Sequence, residues 1–255
     1  ARADDIEGLP VARSFATLHD DGAVDWYIAP ERVSDAMHQA LDNRVAVRDP
    51  AQMMDHLRGL SGPVGLDFGT CNAAISNALD DAGIAVKANA DPVVLPRAIK
   101  NETEQQGARD AQRRDARAVV RFGRWLAEHA DVARESELSV IDKIYALREE
   151  NADAVPMNGA SFGTIAGYRG NAAMGHYSAD ETSNAALEPG GMLLVDSGGQ
   201  YHNGTTDITR VWAIGGQSTD AQRRDYTLTL KGHLALERAV FPKGTKGSAI
   251  DVRAR

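Results

Sequence analysis

The segment Gly190-Gly191-Met192-Leu193-Leu194-Val195-Asp196-Ser197-Gly198-Gly199-Gln200-Tyr201-His202-Asn203-Gly204-Thr205-Thr206-Asp207-Ile208-Thr209-Arg210 decides how the chain folds. Two strand-like stretches flank Asn203-Gly204, a pair that tolerates positive φ at both positions, so the segment predicts a β-hairpin. Asp196 ends an apolar run, where an unpartnered charge is costly. Asp207 follows Gly-Thr-Thr and precedes Ile208, which places it in the returning strand rather than at a turn tip. In an antiparallel ribbon two such carboxylates can come together on one face, the arrangement that a hard, oxygen-preferring metal requires. The spacing leaves a second reading open, because aspartates in hairpins also make turn and capping hydrogen bonds.

Around this hairpin lies a β region rich in Gly, Ser and Thr, from about Ser161 to Ile214, with helices on both sides of it in sequence. Upstream, an Asn101-x-x-Glu104 capping box opens a long helix in which Ala108, Ala111, Val119, Phe122, Leu126 and Ala130 form an apolar stripe. Arg113, Arg114, Arg117, Arg121 and Arg124 fall between them and read as the wet face, not as an anion site. A second helix is expected from about Ser139, with Ile141, Ile144, Tyr145 and Arg148 at helical offsets. Downstream, Thr219-x-x-Gln222 is another capping box, ahead of Tyr226, Leu230, Leu234 and Phe241 and a stop at Pro242.

Residues 1–97 read as a small α/β unit. Asp25 to Ala29, Pro63 to Asp67 and Ala85 to Lys87 are strand-like, while Ala51 to Leu60 and Cys71 to Ala82 are helix-like, the latter closed by Gly83. The Asp91-Pro92 and Leu95-Pro96 steps disfavour helix at the residue before each proline. The expected boundary lies near Arg97 to Lys100, giving units 1–97 and 98–255. Charge follows the same division, with 8 basic and 15 acidic residues before residue 98 and 20 and 21 after it.

Composition narrows the function classes. The 255 residues carry a net charge of -8 and a pI near 5.4, wrong for a protein that binds by neutralising phosphates, so nucleic acid is not an expected partner. The longest wholly apolar runs are a few residues, far short of the roughly 18 needed for a membrane span. Cys71 is the single cysteine, so no intrachain disulfide can form and a reducing, cytoplasmic compartment is expected. It reads as a small apolar residue rather than a nucleophile. The glycines at 167, 170, 175, 198 and 199 have no phosphate-loop context.

Taken together, Asp196-Ser197-Gly198-Gly199-Gln200-Tyr201-x-x-Gly204-Thr205-Thr206-Asp207-Ile208-Thr209-Arg210 closely resembles the metal hairpin of the Xaa-Pro aminopeptidases, members of the "pita-bread" metallopeptidases that include prolidase and creatinase. Leu95-Pro96-Arg97-x-x-Lys100-Asn101-x-x-Glu104 resembles that family's entry into its catalytic domain. Ser161-Phe162-x-Thr164-Ile165 and Gly170-Asn171-x-Ala173-x-x-His176-Tyr177 resemble its active-site rim, although Arg169-Gly170-Asn171-Ala172 stands where the family usually has Gly-Pro-Asn-Gly. Leu230 to His233 and Val240 to Gly247 resemble the helix and turn that follow.

The resemblance implies an α+β chain, with a creatinase-like α/β N-terminal domain followed by the first part of a pita-bread catalytic domain. It implies two divalent metal ions, manganese being the expected one, held by two aspartates, a histidine and two glutamates. The aspartates fall on Asp196 and Asp207. His176 matches a histidine outside the metal shell that binds the substrate and stabilises the transition state; on its own residues it reads first as a core histidine bonded to backbone, and the resemblance reverses that preference. His19, His38, His56, His129, His202 and His233 are not expected to act in catalysis. The implied activity is release of the N-terminal residue from peptides with proline in second position, through a metal-activated water, by a possible homodimer. The family's remaining ligands come after the Gly244-Thr245-Lys246-Gly247 turn, and its cytosolic members carry a further N-terminal domain. The chain is therefore expected to be an internal portion of a larger enzyme and inactive alone. A prolidase-type dipeptidase, a metal-free hydrolase like creatinase and a non-catalytic peptide- or protein-binding module are the alternatives.

Overall fold

A computed structural model describes residues 5–6, 11–128, 132–152 and 155–255. His129 and Ala130, the last position of the expected apolar stripe, lie outside the described residues. The chain divides into two compact units, Ala1–Arg109 and Asp110–Arg255.

In the first unit, β1 (Phe15–Leu18), β2 (Val24–Tyr27) and β3 (Val45–Arg48) form one sheet in the order β1-β2-β3. A tight turn suffices between antiparallel β1 and β2, whereas β2 and β3 are parallel and need a crossover, which carries α1 (Asp35–Ala40). After α2 (Met53–Arg58), β4 (Val64–Leu66) pairs in parallel with β5 (Val86–Ala88) across α3 (Ala73–Asp81). Asn72 caps α3 by accepting from the Ala74 N–H at 2.8 Å, and Gly83 leaves it with φ 69°. One expectation fails: α4 (Val94–Ala98) runs through Leu95-Pro96. Pro96 sits in the first turn, where a backbone N–H has no intrahelical acceptor, so the ring costs no hydrogen bond.

α5 (Glu102–Glu128) begins at the expected capping box, with Asn101 N–H donating to Glu104 Oε2 at 2.8 Å and Glu104 N–H to Asn101 Oδ1 at 2.9 Å. α6 (Glu137–Glu150) begins two residues before the expected Ser139, capped by Ser136. Two three-stranded sheets follow in the second unit. One joins β6 (Met157–Ala160), β9 (Gly199–Tyr201) and β10 (Gly204–Thr205). The other has β8 (Met192–Ser197) between β7 (Ile165–Tyr168) and β11 (Ile208–Ala213).

The core of this unit packs Ala118 and Phe122 of α5 and Val140, Ile144 and Leu147 of α6 against Ala166, Leu193 and Val195 of the β7-β8-β11 sheet. Trp212 meets Phe122 edge-on, with ring centroids 5.2 Å apart. Burial alternates along β8, with Leu193, Val195 and Ser197 buried and Met192, Leu194 and Asp196 less so. The second face of the sheet therefore carries Asp196. α7 (Asp220–Glu237) starts at the expected Thr219/Gln222 box but buries none of its residues, with Tyr226 and Leu230 exposed, and it ends before Phe241 rather than running to the expected stop at Pro242. α8 (Gly247–Ile250) is a single turn.

Candidate metal centre

A hairpin forms in the expected segment, but its turn is His202-Asn203 rather than a positive-φ Asn203-Gly204 pair, since Gly204 lies opposite Tyr201; its register fixes where the carboxylates go. Asp196 lies opposite Thr209 in the β8-β11 ladder, and Gln200 lies opposite Thr205 in the β9-β10 ladder, so one register runs through both. Asp207 precedes Thr209 by two places, and side chains two apart share a face. Asp207 and Asp196 are therefore diagonal neighbours on one side of the ribbon. Asp207 lies just outside β11 rather than within it, because the ladder breaks between Thr205 and Ile208. The break is held by Thr206, whose Oγ1 accepts from Gly199 N–H at 2.9 Å, and by Ser161, whose Oγ donates to the Thr206 carbonyl at 2.8 Å. Gly198 sits against this knot, where an added Cβ would overlap the Thr206 carbonyl oxygen and Ser161 Oγ. The knot explains why the chain can leave the ladder here without orphaning buried backbone groups.

The two carboxyls feel each other. Asp207 is held above the usual carboxylate range by burial first, then by the charge of Asp196 and a hydrogen bond to it. Asp196 Oδ1 is the buried side-chain polar atom that has no hydrogen-bond partner among the described residues. A buried carboxylate oxygen without a donor costs free energy unless a cation fills the place, and hard carboxylate oxygens suit manganese, magnesium or calcium. The pair thus fits a divalent cation as part of a ligand set. Among the described residues it has no third histidine, cysteine or acidic neighbour to complete a shell.

His176 is exposed, in a turn after the 3₁₀ segment Arg169–Ala173, and no hydrogen bond joins it to another described residue. The reading of His176 as a buried core histidine does not hold. Its φ is 57°, and Arg169 has φ 51°; these are the two residues other than glycine in the left-handed region among those described. Each such conformation costs about 1–3 kcal/mol and persists where surrounding contacts over-determine it. At Arg169, the position where glycine is usual in the resembling family, the side chain reaches Glu188 at 2.8 Å and lies over the Tyr168 ring.

Two buried charged groups escaped the sequence reading. Glu137, at the start of α6, is fully buried and accepts from the backbone of Tyr168 and Ala185 and from the side chains of Asn171 and Tyr177. Asp115 on α5 is equally buried and holds Arg148 of α6 through two bonds, 2.6 and 3.2 Å, while the Tyr201 hydroxyl donates to it at 3.2 Å. An acid in a first helical turn normally signals only the helix dipole, and Arg148 at a helical offset reads as a snorkelling side chain, so spacing gave no warning of either.

Comparison with known proteins agrees with this geometry. Residues 1–104 match the creatinase/prolidase N-terminal domain, and residues 106–255 match metallopeptidase family M24. The probable Xaa-Pro aminopeptidase P of Fusarium vanettenii is 38% identical over 270 residues, covering all of this chain and 43% of that protein. Xaa-Pro aminopeptidase 1 of Dictyostelium discoideum is 33% identical, covering all of this chain and 40% of its own length. The chain thus spans about two fifths of the curated relatives it matches. The X-prolyl aminopeptidase of Caenorhabditis elegans, described as a cytosolic enzyme with a di-nuclear active site, superposes with a TM-score of 0.84 at 26% identity, covering all of this chain and 42% of that one. The prolidase of Pyrococcus furiosus shares the fold, with a TM-score of 0.73 at 20% identity over 96% of this chain and 68% of its own. The architecture is a creatinase-type α/β domain followed by pita-bread structure, and with more than half of its residues matching the family model and its paired aspartates on one sheet face, the chain belongs to metallopeptidase family M24.

Proposed function

We propose that the intact protein is a metalloaminopeptidase that releases the N-terminal residue from peptides whose second residue is proline. The observation that carries this reading is the same-face pair Asp196 and Asp207, with Asp196 Oδ1 buried and without a hydrogen-bond partner among the described residues. In it, Asp196 and Asp207 are metal ligands and His176 is a catalytic residue that hydrogen-bonds the substrate. The functional division is 1–97 and 98–255, with the Asn101/Glu104 box opening the catalytic part. Asp196 and Asp207 would hold part of a pair of divalent ions, manganese first among them, which when bound would supply Lewis-acid polarisation of the scissile carbonyl and activation of a water. The chain's own residues do the rest. β8 and β11 hold the two carboxylates in register, so that their anionic oxygens need no reorganisation when a cation binds. His176, on an exposed turn, offers ring nitrogens that can hydrogen-bond the peptide as it arrives. A peptide partner fits the net charge of -8 better than nucleic acid does, and no helix among the described residues is long and apolar enough to cross a membrane. A cytoplasmic location is supported by the single cysteine and by the cytosolic C. elegans neighbour; homodimerisation rests on the family resemblance alone.

The test is cleavage of Xaa-Pro-Yaa tripeptides by the intact protein with manganese. Release of free Xaa is expected, with kcat/KM reduced about 10³-fold or more in Asp196→Asn and Asp207→Asn, since metal-based charge stabilisation supplies several kcal/mol. Undiminished turnover in both variants, or no release from any Xaa-Pro tripeptide, defeats the reading. Cleavage confined to dipeptides would instead identify a prolidase-type enzyme.

A further inference from the structure

Glu137 is 0% exposed, yet among the described residues it has no ion-pair partner. Neutral donors take the place of water. Oε1 accepts from Tyr168 N–H at 2.6 Å and from Asn171 Nδ2 at 3.0 Å. Oε2 accepts from the Tyr177 hydroxyl at 2.7 Å, from Ala185 N–H at 2.9 Å and from Asn171 Nδ2 at 3.2 Å. All four donor residues belong to the segment from the end of β7 to the approach to β8. Two of them adjoin the left-handed positions, since Tyr168 precedes Arg169 and Tyr177 follows His176. A buried carboxylate with this many donors is a rigid anchor, because moving any donor away leaves a charge partly unsatisfied in a site closed to water. The strained turn at its rim is thus pinned on both sides from one point on α6.

We propose that Glu137 is a positioning residue that holds the rim turn in its left-handed conformation and so presents the His176 imidazole to the peptide substrate. The inference rests on the reading of His176 as a catalytic residue given above. It assigns to a helix-start carboxylate, distant in sequence from the turn, the task of fixing the imidazole at the precision catalysis needs.

The experiment compares Glu137→Gln and Tyr177→Phe in the intact, manganese-loaded protein. Glu137→Gln keeps the shape of the side chain but turns an acceptor into a donor facing other donors; Tyr177→Phe removes one donor to the carboxylate, together with the hydroxyl's bonds to Asn171 Nδ2 at 3.0 Å and to the Ser183 carbonyl at 3.1 Å within the same segment, and keeps the test alive if the first variant folds poorly. Hydrogen exchange over 168–187 should accelerate in both while 192–213 stays unchanged. The kcat/KM for an Xaa-Pro tripeptide should fall about tenfold or more, mainly in kcat, as small misplacements of a catalytic group do. His176→Asn supplies the cycle, because asparagine tolerates the left-handed region without an imidazole. In that background the Glu137 substitution should cost less than about twofold. An equal loss with and without His176, or exchange that rises across 192–213 as well, overturns positioning in favour of general stability. If His176→Asn alone leaves turnover intact, the catalytic reading and the consequence drawn from it both fall. If His176→Asn is impaired but exchange over 168–187 is unmoved in both other variants, only the anchoring by Glu137 falls.

Discussion

Asp115 and Arg148 illustrate what one buried residue can cost. Their side chains are 1% and 2% exposed, and the guanidinium grips the carboxylate through Nε at 2.6 Å and an amino nitrogen at 3.2 Å. Tyr201 adds a third donor, and its hydroxyl is pushed above the usual tyrosine range by burial first and then by the charge of Asp115, so it remains a donor at any working pH. The desolvation of two ions largely offsets their attraction, so the pair itself contributes little net stability; losing one member strands the other. Asp115→Ala should therefore destabilise the second unit by about 3–5 kcal/mol. The double replacement Asp115→Leu with Arg148→Met should cost much less. Urea unfolding followed through Trp125 and Trp212, in a Trp26→Phe background, reads both; equal losses would mean that the pair is a net stabiliser.

Elements differ in how openly the sequence declares them, and the difference follows contact range. The capping boxes at Asn101/Glu104 and Thr219/Gln222 formed as read because each closes within three residues. The hairpin was legible for the same reason, although the Asn203-Gly204 signal missed the turn by one residue: His202 and Asn203 make the turn, Gly204 already pairs with Tyr201, and neither Asn203 nor Gly204 adopts positive φ. Local pattern could not reveal Glu137, whose backbone partners lie 31 and 48 residues away, or the ladder break that leaves Asp207 just outside β11. Nor could periodicity say that α7 buries nothing, since an apolar stripe requires a surface to cover it. Gly198 carries the sharpest consequence at this scale. Its missing Cβ lets the Thr206 carbonyl and Ser161 close on the strand between the two aspartates. Gly198→Ala must push that knot open, at a cost of about 1–3 kcal/mol for overpacking, and should weaken manganese binding by separating Asp196 from Asp207. Calorimetric titration of the intact variant checks it; native affinity would show that the knot is not what sets the spacing.

In the second unit one side of the hairpin brings Asp196 and Asp207 together, and the link between their charge and stability is what a metal would exploit. Without a cation, Asp207 is held above its ordinary range by burial and then by Asp196, so ionising it costs the folded state more than the unfolded one. For a carboxyl raised in this way, the folded state binds protons more tightly. The metal-free protein should then gain stability as the pH falls through the folded value of Asp207 toward its unfolded value of about 3.9, and Asp207→Asn should remove that gain. A divalent ion acts in the opposite direction along the pH axis, because it binds the ionised pair and competes with the proton. Manganese at about 100 times its dissociation constant should stabilise the intact protein by roughly 2.7 kcal/mol near neutral pH, with the increment shrinking as Asp207 takes up its proton. Thermal melts at about pH 7.5 and about pH 5, with manganese and with a chelator, compare the native protein with Asp207→Asn on either side of that competition. A manganese shift in Tm that is larger at the higher pH and absent in Asp207→Asn is the expected pattern. A shift that survives the substitution would place the ion elsewhere, because a carboxylate that helps to hold a cation cannot be neutralised without loosening it.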